Sequence, residues 1–253
     1  MRNLKLTLAY DGADLCGYEL QPGKRTVRGE IEKALFLVLK KKVSIVSSSR
    51  TDAGVHALQN VINFKTSQKI PVDRISPALN SLLPEDIRVL KAEEKGESFN
   101  SRFEAKSKEY EYLIYNGEIL PPSLRAFVWQ VKPKLNVAAM QKAAKQLVGQ
   151  NDFSSFCAAR SDDKDFVRTI YSFSIRHSAF GIWDGQKIKI IRLKVKGGGF
   201  LYKMVRNMVG TLVEVGLGRF DVKDVSKILK AKDRKKAGRT APAQGLCLVR
   251  VRF

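Results

Sequence analysis

Arg50-Thr51-Asp52-Ala53-Gly54-Val55-His56-Ala57 lies between two strand-like segments, and its reading decides the rest. A polar run, Ser47-Ser48-Ser49, precedes it, and an alternating segment, Gln59 to Phe64, follows. Asp and Gly are ordinary turn residues, so the octet puts a carboxylate on a tight turn between apolar-edged strands. An arginine stands two residues before that acid. Taken alone, Thr-Asp-Ala-Gly is a turn whose acid bonds its own backbone. The chain around it is strongly basic, with 46 Lys and Arg against 25 Asp and Glu. In that setting a lone acid so placed is a candidate catalyst.

The charge bounds the partner. A formal net charge of +21 is the footprint of a protein that meets a polyanion. The basic residues are scattered through the chain instead of gathered on one amphipathic helix, which argues against docking on a membrane surface. No apolar run approaches bilayer length, and the N-terminus lacks a signal-peptide pattern. Cys16, Cys157 and Cys247 lie far apart, no Cys-x-x-Cys pair occurs, and His56 and His177 are the only histidines. Neither a disulfide framework nor a zinc site is suggested, so no metal, no membrane and a cytoplasmic address are expected. The 253 residues, 44% of them hydrophobic, suffice for one large domain or two small ones.

Working outward, residues 3 to 10 alternate as a half-buried strand. Thr26 is placed to cap a helix with Val27, Ile31, Leu35 and Val38 at helical spacing. Val43 to Val46 leads as a strand into the aspartate turn, and Ala57 to Lys65 leaves it as another. A helix from about Val72 to Leu83 bends near Pro77, and Ile87 to Glu93 is the next strand. The second half has a similar rhythm. Lys108 to Tyr115 alternates, Pro121-Pro122 makes a loop, and Asn136 caps a helix ending near Gly149. Val167 to His177 and Lys187 to Lys196 are strands, split by a turn region at Gly181 and Asp184-Gly185. Gly197-Gly198-Gly199 lacks a phosphate-loop pattern and reads as a tight turn into a helix over Phe200 to Val215. A small helix at Val222 to Leu229 and a strand at Leu246 to Phe253 close the chain. The pattern predicts an α+β fold: two similar α/β halves, 1–104 and 105–253, sharing a mostly antiparallel sheet with helices packed on it and a central basic cleft.

The octet resembles the signature of the TruA family of tRNA pseudouridine synthases. Other blocks resemble the family in its order: Leu79 to Ile87, Ser101 to Ala105, Lys108-Glu109-Tyr110-Glu111-Tyr112, Asp152 to Phe156, Arg168-Thr169-Ile170, Met204 to Gly210, and Thr240 to Leu248. Together they cover nearly the whole chain. The resemblance implies a homodimer acting on tRNA without a cofactor, isomerising uridines of the anticodon stem-loop at tRNA positions 38, 39 and 40. Two departures stand out. Ser49 occupies a place where the family usually has glycine. Gly17-Tyr18-Glu19-Leu20-Gln21 stands where the family has Gly-aromatic-Gln-x-Gln, which adds a negative charge.

Pseudouridine formation breaks the glycosidic C–N bond, turns the base and rejoins it through carbon, so one carboxylate can act as nucleophile or as base. The resemblance gives that role to Asp52 and makes Arg206 its cationic partner, reaching across the cleft. The helical reading agrees, since it sets Arg206 one turn from Tyr202 at the flank of an apolar stripe of Leu201, Met204, Val205, Met208 and Leu212. A target base must leave its stack, and an aromatic ring then offers it a plane. Tyr110 is that ring by resemblance, because alternation puts Tyr110 and Tyr112 on one face and cannot separate them. Leu246 borders the same pocket, again by resemblance. Arg50 and Arg168 are candidates for RNA phosphate or pocket ordering. His56 either contacts RNA or closes the turn, and the turn is favoured. Lys40-Lys41-Lys42 and Arg234-Lys235-Lys236 are solvated faces or an RNA track. Three rival functions compete. A non-catalytic RNA-binding paralogue would use the same scaffold. A nuclease would show clustered metal-binding acids, and a glycosidase a second carboxylate, and Glu104 and Glu109 form no evident pair.

Overall fold

A computed structural model describes residues 1–158, 164–181 and 187–253. The turn expected at Asp184-Gly185 lies outside the described residues. The chain divides into two compact units, Met1–Lys106 with Cys247–Phe253, and Ser107–Leu246.

In the first unit the alternating segment forms β1 (Arg2–Tyr10), with Leu4, Leu6, Leu8 and Tyr10 all buried. Thr26 caps α1 (Val27–Leu39), its hydroxyl accepting from the Gly29 N–H at 3.2 Å. Then come β2 (Ile45–Ser47), β3 (His56–Thr66), α2 (Val72–Asn80) and β4 (Ile87–Lys95). β1 pairs antiparallel with β3 on one side and with β4 on the other, in register at Leu6↔Ile62 and Leu6↔Ala92. β2 pairs antiparallel with β3. Ile31 and Leu35 of α1, Ile75 and Leu79 of α2, and Ile62 and Phe64 of β3 are buried with the β1 leucines. Each such side chain contributes about 1.5–3 kcal/mol by leaving water. α2 contains Pro77 and ends at Asn80, short of the expected Leu83. Leu82 and Leu83 still bond back to the Leu79 carbonyl, at 3.0 and 2.9 Å.

The second unit has β5 (Ser107–Tyr115), a one-turn 3-10 helix at Pro122–Leu124 in the expected proline loop, and β6 (Trp129–Gln130). Asn136 caps α3 (Val137–Lys145), accepting from the Ala139 N–H at 3.0 Å. β7 (Gly149–Asp152), β8 (Val167–Gly181) and β9 (Lys187–Gly197) follow. The strand order in this unit is β5-β9-β8-β7, antiparallel throughout, with β6 parallel to β5. β6 and β7 escaped the sequence reading because two and four residues are too few to display a period. α4 (Met204–Gly216) and α5 (Asp224–Ala231) complete the helices.

The start of α4 corrects an expectation. Lys203 sits at the helix entrance with φ 57°, a left-handed conformation that cannot continue inside a right-handed helix. Phe200, Leu201 and Tyr202 therefore precede the helix, and Tyr202 is not one helical turn from Arg206. The helix is also more than striped: every residue of α4 is buried except Arg206.

The last strand, β10 (Leu246–Arg252), pairs in parallel with β3 at Cys247↔His56 and Leu248↔Ala57. It thereby belongs to the first unit from Cys247 onward. The fold is α+β with mostly antiparallel strands, as the sequence pattern predicts.

Candidate active site

The aspartate turn is built from below by buried polar groups. The Val55 N–H donates to the Asp52 carbonyl at 3.1 Å, and Gly54 supplies φ 78°, which favours glycine. Beneath it, Tyr10 Oη lies 2.8 Å from Thr51 Oγ1. The amide nitrogen of Asn60, fully buried, donates to Tyr10 Oη at 3.1 Å and to the Ser49 carbonyl at 3.0 Å. Ser48 Oγ donates to Asn60 Oδ1 at 3.1 Å. The hydroxyl of Ser49, the residue standing where glycine is usual, is buried with no hydrogen-bond partner among the described residues. Thr51 and Val55 are buried while Asp52 between them is only half-buried.

A second segment braces the turn from the side. A Cβ on Gly12 would lie 2.1 Å from the Val55 carbonyl oxygen, and one on Gly17 would lie 3.0 Å from both the Thr51 oxygen and the Ala53 nitrogen. Only glycine permits this approach at Gly12, and Gly17 also needs φ 91°. The Tyr18 N–H donates to the Thr51 carbonyl at 3.0 Å, and the Gly54 N–H to the Leu15 carbonyl at 3.2 Å. The Tyr18 ring is buried, and burial pushes its phenol up to about 12, so it stays neutral. His56 is buried too. Its Nδ1 accepts from the Gly12 N–H at 3.1 Å, which ties it into the turn's support. Arg50 is exposed, with Nε 3.0 Å from Glu19 Oε2, and Glu19 Oε1 also pairs with Arg28.

In the second unit, Tyr110 and Tyr112 are both buried on one face of β5, as alternation predicts. Their surroundings differ. Tyr112 is fixed in the core: its hydroxyl donates to the Pro242 carbonyl at 2.8 Å and its ring meets Trp129 edge-on. Burial raises its phenol pKa. Tyr110 packs edge-to-face on Phe200, with centroids 5.1 Å apart. Leu246 is buried, and only glycine fits before it, since a Cβ at Gly245 would meet the Tyr112 ring at 2.5 Å.

Arg206 is oriented by a reciprocal clamp. Its Nε donates to the Ala241 carbonyl at 2.8 Å, and the Ala241 N–H donates to the Arg206 carbonyl at 3.1 Å. The adjoining Asn207, fully buried, anchors that clamp. Its Oδ1 accepts from Arg234 Nη2 at 3.0 Å and from Thr240 Oγ1 at 2.6 Å, and its amide donates to the Phe156 carbonyl at 2.7 Å. Gly210 lets the Arg239 carbonyl reach the helix, since a Cβ there would lie 1.7 Å from that oxygen. Arg234, read from sequence as part of a solvated or RNA-facing run, turns inward instead, and burial lowers its pKa. Arg168 Nη1 donates to the Asp165 and Val167 carbonyls at 2.9 and 2.8 Å.

Of the residues singled out in the sequence, Arg50, Asp52 and His56 thus share one unit, and Tyr110, Arg168, Arg206 and Leu246 share the other. Sequence reasoning missed Tyr10, Asn60, Asn207 and Thr240. The signal that marks Asn207 is an amide among the apolar residues Met204, Val205, Met208 and Val209 of the helix. Among the described residues no group of three or more His, Cys, Asp or Glu side chains is placed to hold a metal ion. No helix among them is long and apolar enough to cross a membrane.

A family model described as tRNA pseudouridine synthase matches residues 8–104 and 143–253. The chain belongs to this family. The matched segments hold Arg50, Asp52, His56, Arg168, Arg206 and Leu246, while Tyr110 lies between them. The tRNA pseudouridine synthase A of Bacillus subtilis (strain 168) is 45% identical over 252 residues, covering 99% of this chain and 98% of the relative. That of Thermoanaerobacter sp. (strain X514) is 42% identical over 251 residues, with 99% of each chain covered. That of Acetivibrio thermocellus is 43% identical over 253 residues, with 100% of each covered. The family identity agrees with the octet at Asp52 from which the sequence was read.

Proposed function

We propose that this chain isomerises uridine to pseudouridine in tRNA, with Asp52 as the group that acts on the reacting nucleotide. Family membership supports the reaction class. The observation that carries the residue assignment is the aspartate turn itself. Buried hydroxyls and an amide hold its backbone, two glycines admit the bracing segment, and Asp52 is only half-buried between two buried neighbours. A fixed backbone under a half-buried acid suits attack or proton removal at one sugar of a bound RNA, because a pre-oriented group avoids the entropy of being positioned during reaction. The isomerisation conserves every atom of the nucleotide, so no cofactor is required.

The other roles follow the resemblance. Arg206 supplies the guanidinium that partners the catalytic carboxylate. Tyr110 gives the extruded base a ring to stack on, an interaction worth about 1–3 kcal/mol per base. Leu246 borders the base. Arg50 and Arg168 meet RNA phosphates, and His56 supports the turn that faces the substrate. The substrate region is the 3′ side of the anticodon stem-loop, the working form is a homodimer, and the address is cytoplasmic. The excess of positive charge supplies much of the affinity for tRNA. Incubation with unmodified tRNA transcripts, followed by mapping of pseudouridine, tests the reading: product is expected in the anticodon arm. Absence of product overturns the activity, and product elsewhere overturns the region.

A further inference from the structure

We infer that Glu19 is a positioning residue: it forms an ion pair on the Nε side of Arg50 and so aims the guanidinium's terminal amino groups at a phosphate of bound tRNA. The inference rests on the reading of the chain as a tRNA-modifying enzyme. It concerns the residue at which the sequence departs from the family's amide.

Glu19 is held relative to the aspartate turn. The residue before it, Tyr18, donates its N–H to the Thr51 carbonyl at 3.0 Å and accepts from the Arg28 N–H at 2.9 Å. The strap is thus pinned between the turn and the first residues of α1, and the buried Tyr18 ring anchors it. From this base the Glu19 carboxylate is shared. One oxygen pairs with Arg28 of α1 and the other lies 3.0 Å from Arg50 Nε. Arg28 is held a second time, by Glu32 one helical turn on, at 2.7 Å.

Four alternating charges result, Glu32, Arg28, Glu19 and Arg50, with Arg50 at the outer end. From Arg28 outward exposure rises: the Arg28 side chain is 25% exposed, Glu19 37% and Arg50 66%. A guanidinium is a rigid fork of five N–H donors. With the Glu19 carboxylate paired on the Nε side, the edge bearing the terminal amino groups is left for a planar pair of acceptor oxygens, the geometry that binds phosphate in two-pronged fashion. Charge alone would make Glu19 a hindrance, because a carboxylate beside the reactive turn repels RNA. The two roles therefore predict opposite signs. If Glu19 acts only as a charge, removing it tightens tRNA binding; if it positions Arg50, removing it weakens binding.

The test measures steady-state pseudouridine formation on a tRNA transcript, with melting temperature alongside, for the full chain and for Glu19→Ala, Glu19→Asp, Glu19→Gln, Arg50→Ala and the Glu19→Ala/Arg50→Ala double variant. Glu19→Ala is expected to raise KM for tRNA about 5–20-fold with kcat within about twofold. Glu19→Gln keeps an oxygen for Nε and is expected to recover part of the loss. The double variant is expected to be no worse than Arg50→Ala, since the two residues act as one. An unchanged or lower KM for Glu19→Ala overturns the inference, as do losses that multiply in the double variant. Should Glu19→Ala not fold, Glu19→Asp decides: it keeps the charge but withdraws from Arg50, so a raised KM supports the inference and an unchanged KM overturns it. Failure of the underlying reading looks different, because the unsubstituted chain itself would then make no pseudouridine.

Discussion

Tyr10 Oη stands 2.8 Å from Thr51 Oγ1, one residue before the turn aspartate. Tyr10 is the last residue of β1 and pairs with Ala57 of β3, so the register of the sheet fixes where that hydroxyl lies. The same oxygen accepts from Asn60, which also holds the Ser49 carbonyl on the approach to the turn. Sheet geometry is thereby transmitted to the backbone that carries Asp52. Tyr10→Phe removes the shared atom and leaves a buried amide hydrogen and a buried threonine hydroxyl short of partners. The expected cost is about 1–3 kcal/mol of stability in denaturant unfolding. A lower kcat at nearly unchanged KM is expected with it. Unchanged stability and rate would show that the hydroxyl does not support the turn.

Gly12 tests the bracing of the same turn. Its missing Cβ would lie 2.1 Å from the Val55 carbonyl oxygen, a backbone atom that cannot swing aside. Gly12→Ala is expected to lower stability by about 1–3 kcal/mol through overpacking. Gly96→Ala is the control, since a Cβ there meets nothing within 4 Å, and it is expected to stay within about 0.5 kcal/mol of the parent. Thermal melts of the two side by side give the answer; equal effects would contradict the packing argument.

Asn207 makes the corresponding case for α4. Asn207→Ala takes one partner from the part-buried Arg234 amino group, leaves the Phe156 carbonyl without its amide donor and frees Thr240 from the helix. A loss of about 2–4 kcal/mol is expected in urea titrations. Because residue 241 clamps Arg206, turnover is expected to fall further than the unfolded fraction accounts for. Turnover that simply tracks the folded fraction would separate the network from Arg206.

The order of strands and helices was legible because each long element has a clear period or a cap: Leu4 to Tyr10 at period two, and Val27, Ile31 and Leu35 behind Thr26. The aspartate turn was legible from turn chemistry next to two strands. What stayed hidden has physical reasons. β6 and β7 are too short to show a period. The entrance of α4 depends on a left-handed lysine, a conformation that a lysine side chain does not advertise. The buried network of Tyr10, Asn60 and Thr51 joins residues about 40 to 50 positions apart in the chain, and no local pattern links them. Tyr110 and Tyr112 share a face, and only the structure separates the ring bonded to Pro242 from the ring packed on Phe200.

Asp152 supplies a pH signature. The Ser154 hydroxyl, helped by Lys232, holds its carboxyl down at about 2, whereas an unfolded aspartate titrates near 4. A depressed folded value means that the charged form stabilises the fold. The contribution is complete above about pH 4–5 and is lost as the pH falls toward 2. The stability gap between the parent chain and Asp152→Asn, followed by urea unfolding across pH, is expected to be widest near neutrality and to close on the acid side. A gap that widens on acidification would reverse the sign and contradict the assignment.

In the proposed reaction Asp52 performs the chemistry while the rest of the basic surface holds the RNA. The most direct measurement compares the parent chain with Asp52→Asn on one unmodified tRNA transcript, scoring pseudouridine in a single turnover and tRNA binding in parallel. Pseudouridine formation is expected to drop by at least about 10³-fold while binding stays within about threefold. Formation by the asparagine variant at a rate close to the parent's would contradict the claim outright.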